Sequence, residues 1–453
     1  MADLTDRRPF DNFRVAITDP NYFFGHENLL MAVQRSPFQV RILLGGRRIG
    51  KTSFLRAVEW NLLKLSNTDL SDAVALPQTT KIKSGWMKKT FPTFSKFIDS
   101  SPKVKNENLS DKQTNSVENK AFPVFISLQV EQPNDLDSFR YLLIARLRET
   151  MNRWRSIPTS ALRIRYREFL TQVDLNEITV SFLSTINLKF NIKNPNSEKK
   201  LSHDDFRKAL LATINELRTW QIDGVCFLLD GSEFVVSQSW ANDAWSYLRG
   251  LKDTDTALKP FVGFVFSGYR NLRDYQQAVG SPLLNISEVS WLTALTTSES
   301  KALITQRNRS ENFTLTDTEQ TTVLEWGGGH PYLTQQLINL LLNGYGKPEF
   351  PSLDNLKCEM LRQHDRDFSA WWNDLQRPYS LGEIERKVYN TLIECRQEET
   401  EHLSQKLQIS YGEVADALEV LVGAGVIHKV DDELHQIGSQ LFEEWVKQQK
   451  FNT

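Results

Sequence analysis

Cysteine is scarce: Cys226, Cys358 and Cys395 are the only three in a chain of 453 residues. They lie far apart and form no CxxC pair, so neither a disulfide framework nor a thiolate zinc site is expected. An excess of one charge is missing too. Against 56 Asp and Glu stand 54 Lys and Arg, a formal net charge of −2 that gives no global pull towards nucleic acid or acidic membranes. No apolar run approaches the ~20 residues that span a bilayer. The N-terminal MADLTDRRPFDNFRV is basic in part but lacks the apolar core of a secretory signal. A cytoplasmic protein with no membrane contact is expected. No repeat of solenoid period is visible, and the length suits roughly two to four domains.

Apolar β-type runs alternate with helical stretches from Val40 onward, which predicts an α/β fold with a parallel sheet. The candidate strands are Val40–Leu44, Pro123–Val130, Val225–Leu229, Phe261–Ser267 and Ile286–Leu292. Their nearly continuous apolar character suits strands covered on both faces. Between the first two lies a polar stretch, about 65–120, read as a partly disordered insertion. It is a solvated loop or, because it carries Trp86, Phe91, Phe94 and Phe97, a docking site for a partner. Ile178–Ile192 alternates like a hairpin, and the SHDD at Ser202 offers capping groups for a following helix. Helical patterns fill 297–377. From Leu381 three helical patterns precede Gly423-Ala-Gly425 and a short polar hairpin, the layout of a winged helix. The expected division is an α/β core over 1–295, a helical region over 296–378 and a winged-helix domain over 379–453.

The strongest signal is Gly45-Gly46-Arg47-Arg48-Ile49-Gly50-Lys51-Thr52, a complete GxxxxGK(S/T) phosphate loop. It follows the strand VRILL and opens a helix at Thr52, with Ser53 counted among the candidate nucleotide-binding residues. Glycines let backbone N–H groups close around phosphates, and the helix N-terminus adds partial positive charge. Lys51 would supply a point charge to the β- and γ-phosphates, and the Thr52 hydroxyl a ligand to Mg²⁺. The run Val225–Asp230 has the form of a Walker B strand, whose terminal Asp230 would stand beside the metal. ATP and Mg²⁺ are the expected cofactors. The residue after Asp230 is Gly231, where many ATPases place a second acid; the first acid here is Glu233. Either Glu233 reaches the γ-phosphate from the next turn, or hydrolysis is slow, and the reading adopted is stable binding with slow turnover. Ser267, at the end of the fourth strand, is a candidate γ-phosphate sensor or an ordinary strand-ending serine. Arg270 and Arg273 are read as surface arginines, with a phosphate contact in cis or across a subunit boundary as the alternative.

This assembled pattern resembles the additional-strand P-loop ATPases, and within them the bacterial AAA-like ATPases of the signal-transduction (STAND) kind. The resemblance implies a sheet of order 5-1-4-3-2. Tyr22-Phe23-Phe24-Gly25-His26-Glu27 is similar to the F-x-G-R-E element of that family, which lines the adenine pocket, with His26 in place of the arginine. Ser267–Arg270 and Gly280–Asn285 look like its sensor-strand loop. Gly327-Gly-Gly-His330-Pro331-Tyr332-Leu333 resembles its G-x-P lid element, whose proline packs near the adenine. The implied site therefore includes Phe24 and Pro331. The implied function is an ATP switch controlling conformation, oligomerisation and a separate protein effector, in a defence or stress setting. The alternative is a DNA-handling AAA+ protein of the replication-initiator or transposition-regulator kind. The polar positions of the third C-terminal helix, Glu413, Asp416 and Glu419, are all acidic and repel phosphates, which weighs against that alternative. Lys81, Lys83, Lys88, Lys89, Lys103 and Lys105 in the insertion weigh for it.

Overall fold

The computed structural model describes residues 16–17, 23–67, 119–156, 200–278, 283–310, 314–344, 352–374 and 382–451. Most of the insertion, the Ile178–Ile192 hairpin, Tyr22 and Gly280 lie outside the described residues.

Five strands, β1 (Val40–Leu44), β2 (Ala121–Ser127), β3 (Gly224–Asp230), β4 (Val262–Gly268) and β5 (Ser287–Trp291), form one wholly parallel sheet. Its order is β2-β3-β4-β1-β5, which counted from the β5 edge runs 5-1-4-3-2. Strand periodicity divides the side chains between two cores. Ile42, Leu44, Phe227, Leu229, Phe264 and Phe266 face one cluster, whereas Leu43, Cys226, Leu228 and Val265 face the other. Helices α1 (Glu27–Arg35) and α2 (Lys51–Asn67) cover the second face, through Val33 and through Phe54, Leu55, Val58 and Leu62. Past β2 the chain turns into α3 (Leu128–Glu131), then α4 (Leu136–Ser156); α5 (His203–Arg218) precedes β3. After β3 come the short α6 (Glu233–Val236) and α7 (Ala241–Asp253), and α8 (Arg270–Ala278) follows β4. α4, α5 and α7 cover the first face.

Two expectations need correction. Leu128–Val130 does not extend β2: it forms the turn of α3, which ends at left-handed Gln132. Only Leu128 of that turn is buried, so the LQV run mimics a strand without packing as one. β5 is not covered on both faces either; it is an edge strand whose Glu288 and Val289 are exposed.

Helices α9 (Thr297–Ser310), α10 (Asp317–Gly327), α11 (Pro331–Gly344), α12 (Leu353–Gln363) and α13 (Asp365–Asp374) follow. The glycines break the chain as the sequence suggests: α10 ends at Gly327, Gly328 caps it in the left-handed region, and Pro331 opens α11. The last segment comprises α14 (Gly382–Cys395), β6 (Gln397–Glu399), α15 (Thr400–Leu407), α16 (Tyr411–Gly423), β7 (Ile427–Lys429), β8 (Leu434–Ile437) and α17 (Gln440–Phe451). β6, β8 and β7 make a small antiparallel sheet. One apolar cluster runs from α9 to α17, with Phe368, Trp371, Phe442 and Trp445 at its centre and Trp372 against its side. No described helix is long and apolar enough to cross a membrane.

Candidate functional site

In open α/β sheets, ligands bind beyond the carboxyl ends of the strands. Here those ends carry the chemistry. β1 leads directly into the Gly45–Thr52 loop, whose entrance is tied to β4 by the Gly45 N–H donating to the Gly268 carbonyl (3.2 Å). The loop turns through left-handed Arg48 (φ 60°) and Gly50 (φ 103°) before α2 starts at Lys51. A helix beginning there directs its free N–H groups and positive dipole end over the loop, the arrangement that holds phosphate. The Lys51 ammonium bends over the loop and donates to the carbonyls of Gly45 (2.7 Å) and Gly46 (2.9 Å).

The first turn of α2 and the end of β4 converge on the carboxylate that ends β3. Thr52 Oγ1 donates to Asp230 Oδ2 (2.8 Å) and Ser267 Oγ to Asp230 Oδ1 (2.5 Å). The Gly231 N–H lies 3.4 Å from Ser267 Oγ, and the Ser232 N–H donates to the Ser267 carbonyl (2.9 Å). Thr52 and Asp230 offer a hard cation two oxygen ligands. Among the described residues, no group of three or more His, Cys, Asp and Glu gathers as a protein-only cage. That pairing fits Mg²⁺, which keeps several waters and takes phosphate oxygens as further ligands.

Gly231 has a conformational reason to be glycine. Its φ of +70° is left-handed, and a Cβ there would stand 3.3 Å from the Gln129 side chain. An acid next to Asp230 would be strained. The acid stands instead at Glu233, in the first turn of α6. Burial pushes the Glu233 carboxyl above its ordinary pKa; Lys51 and Arg47 oppose the shift and Asp230 adds to it. Among the described residues its buried Oε2 has no hydrogen-bond partner. A buried carboxylate oxygen left unpaired inside a cluster of charged groups calls for a ligand-side partner.

The lead-in and lid elements meet at Leu295. Phe24 packs on Leu295 and Leu303, Phe23 stands edge-on to Phe54 (6.1 Å), and the Leu295 N–H donates to the Gly329 carbonyl (2.8 Å). Pro331 is two residues past that carbonyl. Phe24 and the segment that leads into Pro331 are therefore linked through Leu295.

The arginines differ from expectation. Arg270 and Arg273 are not on the surface; they are 4% and 5% exposed. Arg270 pairs with Glu385 of α14 (2.9 Å), and Arg273 with Asp416 (2.9 Å) and Glu419 (2.7 Å) of α16. Arg48 turns away from the loop to Asp367 (3.0 Å), with its guanidinium 4.4 Å from the centre of the Tyr332 ring. The Tyr332 hydroxyl also donates to Asp367 (3.0 Å). The His364 ring bonded to Asp367, with Arg48 and Tyr332 beside it, holds that carboxyl down to a pKa of about 2 despite partial burial. Arg47 remains beside the charged cluster, where it acts on Glu233.

Sequence reading missed the segment that touches the loop most closely. The Gly46 N–H donates to the Gly423 carbonyl (2.8 Å). A Cβ on Gly46 would stand 2.8 Å from the Ala424 Cα, so only glycine lets the two backbones approach. Gly423-Ala-Gly425 reads as helix-ending punctuation, and nothing local says that it lies against residues nearly 400 positions earlier. The acidic face of α16 was the available signal, since it called for a basic partner.

A comparison with solved structures places this arrangement. A Walker-type ATPase of Pyrococcus abyssi overlays with a TM-score of 0.51 at 15% identity, over 94% of this chain and 96% of that one. The chain has the fold of a Walker-type P-loop ATPase. Two Aeropyrum pernix proteins overlay more loosely: Orc1 in complex with DNA (TM-score 0.37, 11% identity, 98% and 97% of the chains) and Orc2 (0.38, 10%, 96% and 98%). Overlays that loose carry no argument about chemistry or partners. No protein-family model matches the sequence, and no curated protein matches it.

Proposed function

We propose that this chain is an ATP-binding switch of the STAND kind, with slow hydrolysis, whose lid and C-terminal winged-helix module respond to the nucleotide. Gly45–Ser53 would cradle the phosphates, Lys51 would place its charge on them, and Thr52 and Asp230 would hold Mg²⁺. When bound, the metal supplies charge neutralisation at the β- and γ-phosphates. Ser267 fixes the rotamer of Asp230. Glu233, the acid displaced by Gly231, is positioned to take a proton from water. The observation that carries the switch reading is the Gly46–Gly423 hydrogen bond, because the phosphate loop and the C-terminal module touch backbone to backbone. A ligand that rearranges the loop must rearrange that contact, and differential affinity for the two arrangements shifts the population.

The test is light scattering after size exclusion, without nucleotide, with Mg·ATP, and with duplex DNA. Growth in mass with Mg·ATP and no DNA supports the switch. An unchanged monomer that shifts only with DNA moves the assignment to a DNA-handling ATPase. The acidic α16 face weighs against that outcome, since Arg273 already occupies it. The effector is proposed to be a separate protein.

A prediction concerns turnover. Glu233→Gln is expected to slow ATP hydrolysis by about 10²–10⁴, the usual cost of losing a proton acceptor, while ATP affinity stays within a few fold. Wild-type turnover in this variant would remove Glu233 from the chemistry.

A further inference from the structure

The phosphate loop is held from outside in two directions. On one side it meets the turn after α16: Gly46 bonds to Gly423, and a Cβ on Gly425 would stand 2.6 Å from Ile49 Cδ1. On the other side stands α13. Asp367 and Trp371 share one face of this helix at i,i+4 spacing. Trp371 stacks on the buried ring of His330, with centroids 4.4 Å apart, which fixes where that face points. Asp367 then meets Arg48, 319 positions away in sequence, with Nε donating to Oδ1 (3.0 Å). The other carboxylate oxygen accepts from the Tyr332 hydroxyl (3.0 Å) and lies 3.3 Å from His364 Nδ1, so both oxygens are engaged. Arg48 is fixed as well. Its guanidinium lies over the Tyr332 ring, and its backbone takes a left-handed conformation (φ 60°) that costs energy in a residue with a β-carbon. The contact with α13 helps to hold that conformation.

This pair differs in kind from the buried one between Arg270 and Glu385. The Arg48 and Asp367 side chains keep 31% and 25% of their surface in water, so each can be resolvated when they part. Arg270 and Glu385 keep 5% and 1%. A half-exposed pair can open and close while the fold persists. We infer that Arg48–Asp367 is a kinetic latch on the phosphate loop: closed, it holds the loop in one arrangement and slows nucleotide entry and release alike, and open, it speeds both. A contact present with and without nucleotide has no differential interaction with the two states, so it moves the two rates together and the affinity little. The inference rests on the nucleotide-binding reading above. It adds a control point on α13, outside the groups that would touch phosphate or metal.

The experiment has two readouts on the full chain, for wild type, Asp367→Asn, Asp367→Glu, Arg48→Ala and the double variant Arg48→Ala/Asp367→Asn. The first is amide hydrogen exchange without nucleotide. Asp367→Asn should speed exchange of the Gly45–Ser53 amides by about threefold to tenfold, between the worth of an exposed ion pair and that of a charge-assisted hydrogen bond. The β3 amides should keep wild-type protection. Asp367→Glu keeps the charge and should retain part of the slow exchange. In the Arg48→Ala background Asp367→Asn should add nothing, because both ends act through one contact. The second readout is stopped-flow binding of a fluorescent ADP analogue. In Asp367→Asn the association and dissociation rate constants should rise by the same factor, leaving Kd within about twofold of wild type. Wild-type loop protection in Asp367→Asn overturns the latch whether or not nucleotide binds, and so does an undiminished effect in the Arg48→Ala background. A faster dissociation with unchanged association also overturns it, since that marks a direct contribution to affinity. Wild type that binds no nucleotide sinks the nucleotide reading itself, and the nucleotide-free amide exchange tells the two failures apart.

Discussion

Lys51→Ala is expected to cripple ATP binding. Truncating one partner of a buried, hydrogen-bonded charge pair costs about 2–5 kcal/mol, which at about 1.4 kcal/mol per tenfold is a loss of roughly 30-fold to several thousand-fold. Arg48 is committed to Asp367 and Tyr332, and Arg270 to Glu385. The Lys51 ammonium also braces the loop through the Gly45 and Gly46 carbonyls, so the variant loses loop rigidity as well as charge. Melting with and without Mg·ATP separates the two effects. Wild type should gain stability as RT ln(1 + [ATP]/Kd), and Lys51→Ala should gain far less at the same ATP concentration, with an unliganded melt within a few degrees of wild type. Undiminished stabilisation by ATP in the variant would mean that phosphate is held elsewhere.

The contrast between what local sequence encodes and what it hides follows chain distance. The phosphate loop was legible because its requirements are local: glycine where backbone must approach a ligand, lysine at the helix start, an apolar strand before it. The strands were legible as apolar runs, since a strand covered on both faces needs no alternation. The overrun at Leu128 came from the same rule, which cannot see a strand stop while apolar residues continue. Arg270 and Arg273 were misjudged for another reason. Their acids lie 115 positions away at Glu385 and 146 away at Glu419. An unpaired arginine in a sequence reads as exposed by default, and only the fold supplies the partner. The acidic polar positions of α16 were read as a surface hostile to DNA, whereas Asp416 and Glu419 pair with buried Arg273 inside the chain. Gly231 joins both kinds of case: the missing acid is visible in sequence, while the left-handed φ that excludes it is visible only in the fold.

The two arginine contacts are not equal in weight, and magnitude decides which holds the C-terminal module. Arg273 is buried, but its partners Asp416 and Glu419 are 31% and 52% exposed, and pairs of that kind contribute about 0–1 kcal/mol each. Arg270 and Glu385 are both nearly fully buried. Removing one partner of such a pair costs about 3–5 kcal/mol because the other charge is left desolvated. Glu385→Ala is therefore expected to release the α14–α17 region from Arg270 and, with it, the Gly423 contact to the loop. Small-angle scattering should record a larger radius of gyration without nucleotide, and addition of Mg·ATP should change it little further. Replacing the whole pair, Arg270→Met with Glu385→Leu, removes both charges and keeps the volume, a change that is often neutral or stabilising. This double variant should return to the compact form. If Glu385→Ala stays as compact as wild type in both conditions, the buried pair does not hold the module, and the weight of the closed arrangement falls on the Gly46–Gly423 backbone contact and the apolar surface around it.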